Sequence, residues 1–375
     1  MSPNAKQTAP ANAPSEARRK KLLRLIRKQQ LEALLVSNPV NVSYLTGFTG
    51  EDSMLLVTKD RTILISDSRF ETQVEQECPD IDAVIRKSGE AMHKSIADLL
   101  GKLALTGIGF ESSDTSFALW QRINAEVSPG TLKPTHGLVE ELRQVKDKGE
   151  IAELRDAIQQ AEKGFAVLQV SLVPDMTEQE AAHELEHTMR RFGAKGASFP
   201  IIVAVGTRAA LPHARPTSRK LGEADFVLID WGAVSQGGYN SDLTRVLWTG
   251  KASPKLTKIY NITLEAQQKA IEAIRPGIAC RDVDKIARSV IEKAGYGNKF
   301  GHGLGHGIGR DIHEGPRLGP SSDTILEPGM VVTVEPGIYL PEWGGVRIED
   351  DVLVTKDGYE VLTSVPKELE ISRWG

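Results

Sequence analysis

Two runs of β-type apolar residues in this chain each end on an acid, FVLIDWG at Asp230 and VVTVEPG at Glu335. Runs of this kind read as strands buried on both faces. A carboxylate at the end of such a strand needs a partner, because desolvating an unpaired charge is expensive. Three more candidates lie close by in sequence: Asp242 in GGYNSDLTR, His306 in GHGLGHGIGRDIHEGP and Glu349 in GGVRIEDD. Taken singly, each acid reads as a surface residue or a turn former. Together, in glycine-rich segments that bend around strand ends, they read as one constellation. Four carboxylates and one imidazole that converge repel one another unless a counter-charge is present. Two divalent cations supply it and retain the capacity to polarise a water.

The donor set is rich in hard oxygen ligands. It suits Mn²⁺ first, with Co²⁺, Zn²⁺ and Fe²⁺ as alternatives, rather than a thiolate-type zinc site. Two-metal sites hold their ions about 3.5–4 Å apart. Only carboxylates can bridge them, since one imidazole nitrogen cannot span two metals. Around this set, His302 and His313 flank His306, and His213 sits in AALPHARP ahead of the Asp230 strand. A site that stabilises an oxyanion and a leaving amine needs such groups, so His213 and His313 are expected to face substrate. His302 reads equally as a supporting or a packing residue. A rival motif, HELEH at 183–187, fits the H-E-x-x-H pattern of zinc peptidases. Its third ligand is missing, because no acid or histidine lies between Thr188 and His213. The segment also reads as an outer helix capped by Thr177 and Glu180, with Met189 and Phe192 facing a core. The glycines of HGLGHGIGR lack a phosphate-loop lysine and are expected to let the backbone approach the metals.

Composition narrows the setting. At 375 residues the chain is expected to form two domains, at about 150 residues each. A net charge of −4 argues against nucleic-acid partners. No apolar run approaches the roughly 20 residues a bilayer demands. Cys78 and Cys280 are isolated, which disfavours a disulfide framework and fits a cytoplasmic location. Residues 1–17 are Ala/Pro-rich and read as a disordered leader. Residues 18–143 read as an α/β domain with strands in LEALLVSN, SMLLVT, TILISD, AVIRK and GIGFE. Its first helix carries a basic cluster that reads as a solvated face, and NPVNVSYLTGFTG is expected to be a loop that reaches a neighbouring site. Residues 144–375 read as an α+β domain in which a helix–helix–strands unit occurs twice, with the site between the halves.

The ordered motifs DWG…YNSDLTR, HGLGHGIGRDIHEGP, LEPGMVVTVEPGIY and GGVRIEDD resemble the M24 "pita-bread" metallopeptidases, above all prolidase and aminopeptidase P. Residues 18–140 resemble the creatinase-type N-terminal domain of the same group. The resemblance implies a dinuclear exopeptidase acting on X–Pro bonds in proline-containing peptides, with a dipeptidase slightly favoured over an aminopeptidase P. It implies one metal held by Asp230, with Asp242 and Glu349 bridging to a second held by His306 and Glu335. Glu335 would also move a proton, His213 and His313 would stabilise substrate, and Arg347 would orient Glu349. Arg317 matches an arginine of some prolidases that holds the dipeptide carboxylate. Dimers are typical of the family, and the resemblance leaves open that Tyr44 to Gly50 complete a partner's site. Asp230 and Asp242 are twelve positions apart, one more than usual, so a bulge is expected at Gly237–Gly238. Methionine aminopeptidase shares GHGIGRDIHE but lacks the N-terminal domain, and creatinase lacks the ligands. The cross-class alternative is a metal-free protein that binds peptides without turnover.

Overall fold

Both faces of β1 (Ala33–Val36) are buried, and this sets the N-terminal unit as a sheet between two helical layers. The computed structural model describes residues 13–250 and 252–368, and the chain divides into two units after Leu142. The first unit opens with α1 (Ala13–Lys28), followed by β1, α2 (Pro39–Thr46), β2 (Met54–Thr58), β3 (Thr62–Asp67), α3 (Glu71–Glu77) and β4 (Asp82–Arg86). It continues through α4 (Met92–Lys102), β5 (Ile108–Glu111), α5 (Phe117–Glu126), β6 (Leu132–Thr135) and α6 (Leu138–Arg143). The six strands form one sheet in the order β4-β3-β2-β1-β5-β6. Alternation along β1 sends Leu34 and Val36 to a core with Leu22, Ile26 and Val42, and Ala33 and Leu35 to another with Ile96, Leu100 and Ile123.

Two sequence expectations are corrected in this unit. Helix α1 begins at Ala13, so residues 13–17 are helical rather than leader; residues 1–12 lie outside the described residues. Ser15 and Arg19 are buried there, and Arg19 donates to the Leu45 carbonyl at 2.9 Å and pairs with Asp80. Lys20, Lys21, Arg24, Arg27 and Lys28 are exposed, as a solvated face requires. The NPVNVSYLTGFTG segment is a helix, not a loop. Asn38 caps α2 by accepting from Val40 and Asn41, Pro39 sits at its start, and Gly47 ends it at φ 82°. That is the Pro-first, Gly-last signature of a helix. Tyr44 and Phe48 are buried in the core of this unit.

The second unit comprises α7 (Lys148–Ser171), α8 (Glu178–Arg191), β7 (Gly196–Ala197), β8 (Ile202–Val205), β9 (Phe226–Trp231), β10 (Ala233–Val234) and β11 (Leu243–Trp248). Then come α9 (Pro254–Ala273), α10 (Cys280–Lys293), β12 (Gly305–Gly307), β13 (Glu314–Leu318), β14 (Val331–Val334), β15 (Gly337–Leu340), β16 (Gly344–Arg347), β17 (Asp350–Val354) and β18 (Tyr359–Val361). A helix pair therefore precedes each set of strands. Alternation on β8 and β9 divides the core: Val203, Val205, Val227 and Ile229 pack with Phe165 and Leu185 of α7 and α8. Ile202, Ala204, Phe226 and Leu228 pack with Ile259 and Ala266 of α9 and with Val283 of α10. Asp230 continues the second series and so emerges on the face away from α7 and α8. Between β10 and β11, Gly238 at φ 81° donates to the Ser235 carbonyl while Ser235 N–H donates to Tyr239. This is the bulged three-residue turn expected at Gly237–Gly238.

A buried ion network ties the start of this unit to β13. Glu314 accepts from Lys146 at 2.7 Å and Arg143 at 2.6 Å, with side chains 5%, 0% and 2% exposed. Burial by itself raises the Glu314 carboxyl, but the Lys146 and Arg143 charges outweigh it and hold the group below its ordinary 4.5. A depressed folded-state value contributes stability that is present above the unfolded value and is lost as pH falls through the folded one. Glu314→Gln is expected to lower stability at neutral pH by about 3–5 kcal/mol, the cost of leaving the buried Lys146 charge without its carboxylate, while Arg143 keeps Asp311. It is also expected to remove the parent's loss of stability as pH falls from the ordinary carboxyl value through the lowered folded-state one. Urea midpoints across that range measure both effects, and parallel parent and variant curves would contradict the assignment.

Candidate metal centre

Thr244 is the residue around which the site assembles. On β11 it lies opposite Asp230 of β9, and it also bridges to Glu349, in the link between β16 and β17. Its hydroxyl donates to Glu349 Oε2 at 2.6 Å. Asp242 immediately precedes β11, and its backbone N–H donates to Asp351 Oδ2 at 3.1 Å. His306 is the middle residue of β12, where the pairing with β13 shifts register after His306. Such a bulge re-aims a side chain. The His306 Nδ1 lies 3.1 Å from the Gly307 carbonyl, which makes it the protonated nitrogen and leaves Nε2 free. That Nε2 is 3.7 Å from Asp242 Oδ2 and 3.4 Å from Glu335 Oε1. Glu335 follows β14 directly and is held by the Thr333 hydroxyl at 3.3 Å.

These five predicted residues are thus brought together. Asp242, His306 and Glu349 each present an atom within 4.8 Å of the others, the one such metal-capable group among the described residues. Asp230, Asp242, His306 and Glu349 are all nearly inaccessible, and the Glu335 side chain is 17% exposed. Burial, then repulsion from Glu349, Asp230 and Glu335, pushes Asp242 well above its ordinary value. Burial, then Glu335 and Asp230, does the same to Glu349, and burial raises Glu335 to about 7. Burial lowers His306 to about 3, so the imidazole is neutral, as a metal ligand must be. Two buried carboxylate oxygens, Asp230 Oδ1 and Glu349 Oε1, have no hydrogen-bond partner. Unpaired oxygens on clustered buried acids are what divalent cations would satisfy, so the residues fit the metals.

Arg347, 3% exposed, donates Nη2 to Asp230, Nε to Thr244 Oγ1 at 3.1 Å and Nη1 to Tyr339 Oη at 3.0 Å. Its guanidinium thus braces Asp230 directly and Glu349 only through Thr244, whereas the resemblance implied Glu349 itself. Tyr339 Oη is 2.9 Å from His302 Nε2, and His302 Nδ1 is 2.7 Å from the Gly303 carbonyl. With Nδ1 protonated, His302 accepts from Tyr339. Burial, followed by the Arg347 charge, lowers it to about 4. Thr244, Tyr339, Thr333 and Asp351 were not singled out in the sequence. Thr244 and Asp351 follow ligand candidates by two residues and Thr333 precedes one by two, the period of a strand face, which is the signal that marks them.

The sequence profile of metallopeptidase family M24 matches residues 152–356, and that of the creatinase/prolidase N-terminal domain matches residues 18–145. The chain belongs to metallopeptidase family M24. It is 33% identical over 352 residues to an Xaa-Pro dipeptidase of Pyrococcus horikoshii, covering 93% of this chain and 97% of that one. It matches the structure of an Xaa-Pro dipeptidase from Bacillus anthracis at TM-score 0.91 and 39% identity, over 95% of this chain and 99% of that one. An X-Pro aminopeptidase from Thermotoga maritima matches at TM-score 0.85 and 36% identity, over 94% and 98% of the two chains. Membership in M24 implies divalent metal, and the fold is that of a creatinase-type N-terminal domain followed by an M24 catalytic domain.

In this M24 chain a cavity of about 710 Å³ opens onto the acids and is lined by His213, His313, Arg317 and Tyr339. His213, His313 and Arg317 are exposed there, and the His313 ring lies edge-on to His306 at 4.3 Å. Arg317 is directly opposite His306 in the β12–β13 pairing. The HELEH histidines, His183 and His187, are exposed on α8, away from any metal-capable group among the described residues. Met189 of that helix is buried, but Phe192 is 43% exposed rather than core-facing, because it lies past the last helical turn. Gly305 and Gly307, on either side of His306, are required by strand packing. A Cβ on Gly305 would meet the Thr333 carbonyl at 2.0 Å, and one on Gly307 the Gly315 carbonyl at 2.0 Å.

Proposed function

We propose that this chain is a dinuclear-metal exopeptidase that hydrolyses X–Pro bonds, an Xaa-Pro dipeptidase before an aminopeptidase P. The observation that carries this reading is the convergence of buried Asp230, Asp242, His306 and Glu349 with partly buried Glu335, two carboxylate oxygens being left unpaired. Asp230, with Asp242 and Glu349 as bridges, would hold one ion, and His306 with Glu335 the other. Mn²⁺ suits this oxygen-rich set best, with Co²⁺, Zn²⁺ or Fe²⁺ as alternatives. When bound, the ions supply Lewis-acid polarisation of the carbonyl and acidify a water.

The chain's own residues do the rest. Glu335, anchored through Oε1 by Thr333 and near His306 Nε2, takes a proton and returns it to the leaving pyrrolidine nitrogen. An X–Pro amide has no N–H to grip, so binding falls on the free amine, the carbonyl oxygen and the far carboxylate. His213 and His313, exposed at the cavity, present N–H groups to the oxygen that gains charge. Arg347 and Thr244 keep Asp230 and Glu349 in place. Residence in the cytoplasm and assembly as a homodimer belong to this proposal as well. Among the described residues no helix is long and apolar enough to cross a membrane.

The preference for dipeptides rests on Arg317, whose guanidinium lines the cavity and makes no ion pair among the described residues. A carboxylate entering a site already rich in acids needs such a cation. Arg317→Ala is expected to raise KM for an X-Pro dipeptide about 10- to 100-fold, the loss of a charge-assisted bond, while changing an X-Pro-Y tripeptide by about twofold or less. Equal losses on both substrates would make the arginine structural. A parent preference for the tripeptide would select aminopeptidase P, the reading that the roomy cavity favours.

A further inference from the structure

Glu178 is a fully buried carboxylate at the first turn of α8, remote in sequence from every residue assigned above. It sits at 0% exposure and spends all its acceptor capacity on the two ends of one loop. On the entering side, Oε1 accepts from Val205 N–H at 2.9 Å, and Arg208 Nε donates to both Oε1 and Oε2 at 3.0 Å. On the leaving side, Oε2 accepts from Thr217 N–H at 2.8 Å and from the Thr217 hydroxyl at 2.7 Å. Arg208 closes the circuit by donating Nη2 to the Arg215 carbonyl. The backbone of α8 reinforces the exit, with Glu178 N–H to Arg219 O and Gln179 N–H to Thr217 O.

The segment so closed, 206–217, begins as a single 3-10 turn at Gly206–Ala210 and contains no other regular element. It carries Pro212, His213, Ala214 and Arg215 along the wall of the cavity. Leu211 within it is 54% exposed, whereas Ala209 and Ala214 are buried in the core, so the apolar seating of the segment comes from two small side chains. A carboxylate that ties both ends of such a segment limits its local opening. The capping box of Thr177 and Glu180 fixes the helix end on which the clasp is mounted.

We infer that Glu178 is a positioning residue that clasps the 206–217 loop and so holds His213 over the reacting carbonyl. This rests on the reading that His213 contacts substrate. A carboxylate suits the role because one planar group accepts four donors from opposite directions. Glutamine presents an amide N–H₂ to one of the two ends and cannot hold both.

The test uses the full-length, Mn²⁺-loaded protein and two independent readouts. Backbone hydrogen exchange of residues 206–217 is expected to quicken at least about tenfold in Glu178→Gln, with the strands around the metal ligands unchanged. With an X-Pro dipeptide, kcat/KM is expected to fall about 30-fold in Glu178→Gln but less than about threefold when the same change is made on a His213→Ala background. Unchanged exchange in the loop overturns the clasp. Equal losses on both backgrounds overturn the route through His213, since independent effects multiply. Should Glu178→Gln lose the native fold, Thr217→Ala removes one donor from a folded chain. It is expected to move both quantities in the same direction by about half as much on a logarithmic scale, and no movement overturns the proposal. A parent protein without X-Pro turnover would defeat the functional reading alone, because the exchange measurement needs no activity.

Discussion

Exhaustive chelation is expected to reduce turnover of an X-Pro dipeptide by about a thousandfold or more, with Mn²⁺ or Co²⁺ restoring it best. The size follows from the geometry. Losing about 4 kcal/mol of transition-state stabilisation is a thousandfold in rate, and here Lewis-acid polarisation and water activation are removed together. The apo site is also electrostatically awkward, since Arg347 is the one cation hydrogen-bonded to the ligand carboxylates among the described residues. Chelation is therefore also expected to lower the melting temperature, because ions that bind only the folded chain stabilise it by an amount that grows with the logarithm of their free concentration over Kd. Elemental analysis against residual activity decides the matter. Full activity in a demonstrably metal-free preparation would sink the dinuclear reading, and an inert but peptide-binding apo protein that metals do not awaken would favour a binding protein on the same fold.

Replacing a bridge is expected to be nearly as damaging. Asp242→Ala or Glu349→Ala removes a carboxylate that two ions would share, leaves their charge under-neutralised, and is expected to lower kcat by about three orders of magnitude. Glu349→Ala also leaves the buried Thr244 hydroxyl without its acceptor, so a stability measurement belongs with the kinetics. His183→Ala on the outer face of α8 is expected to stay within about twofold of the parent, in keeping with surface changes that cost about 0.5 kcal/mol or less. A folded but inactive His183→Ala alongside an active Glu349→Ala would instead establish the HELEH helix as the metal site.

The sequence by itself determined the donor chemistry. Acids at the ends of apolar strands cannot be left bare, so Asp230 and Glu335 by themselves announce a charged centre. Strand alternation and helix capping were equally legible, because both depend on residues within a few positions of each other. What failed locally was α2, where NPVNVSYLTGFTG reads as a loop although Asn38, Pro39 and Gly47 bracket a helix. Phe192 failed because helical periodicity was carried one residue past the end of α8.

Only the tertiary structure decided which neighbours support the donors. Thr244 holds Glu349 from 105 positions away, Arg347 holds Asp230 from 117 and Asp351 holds the Asp242 backbone from 109. The need for glycine at 305 and 307 comes from strand pairing, which puts backbone carbonyls where their side chains would lie. Glu178, which ties the loop of His213 at both ends, looks like an ordinary first-turn helix acid in one dimension. Periodicity along a chain carries information about faces and ends. Hydrogen bonds between distant strands depend on register and sheet order, and these emerge only when the whole core packs.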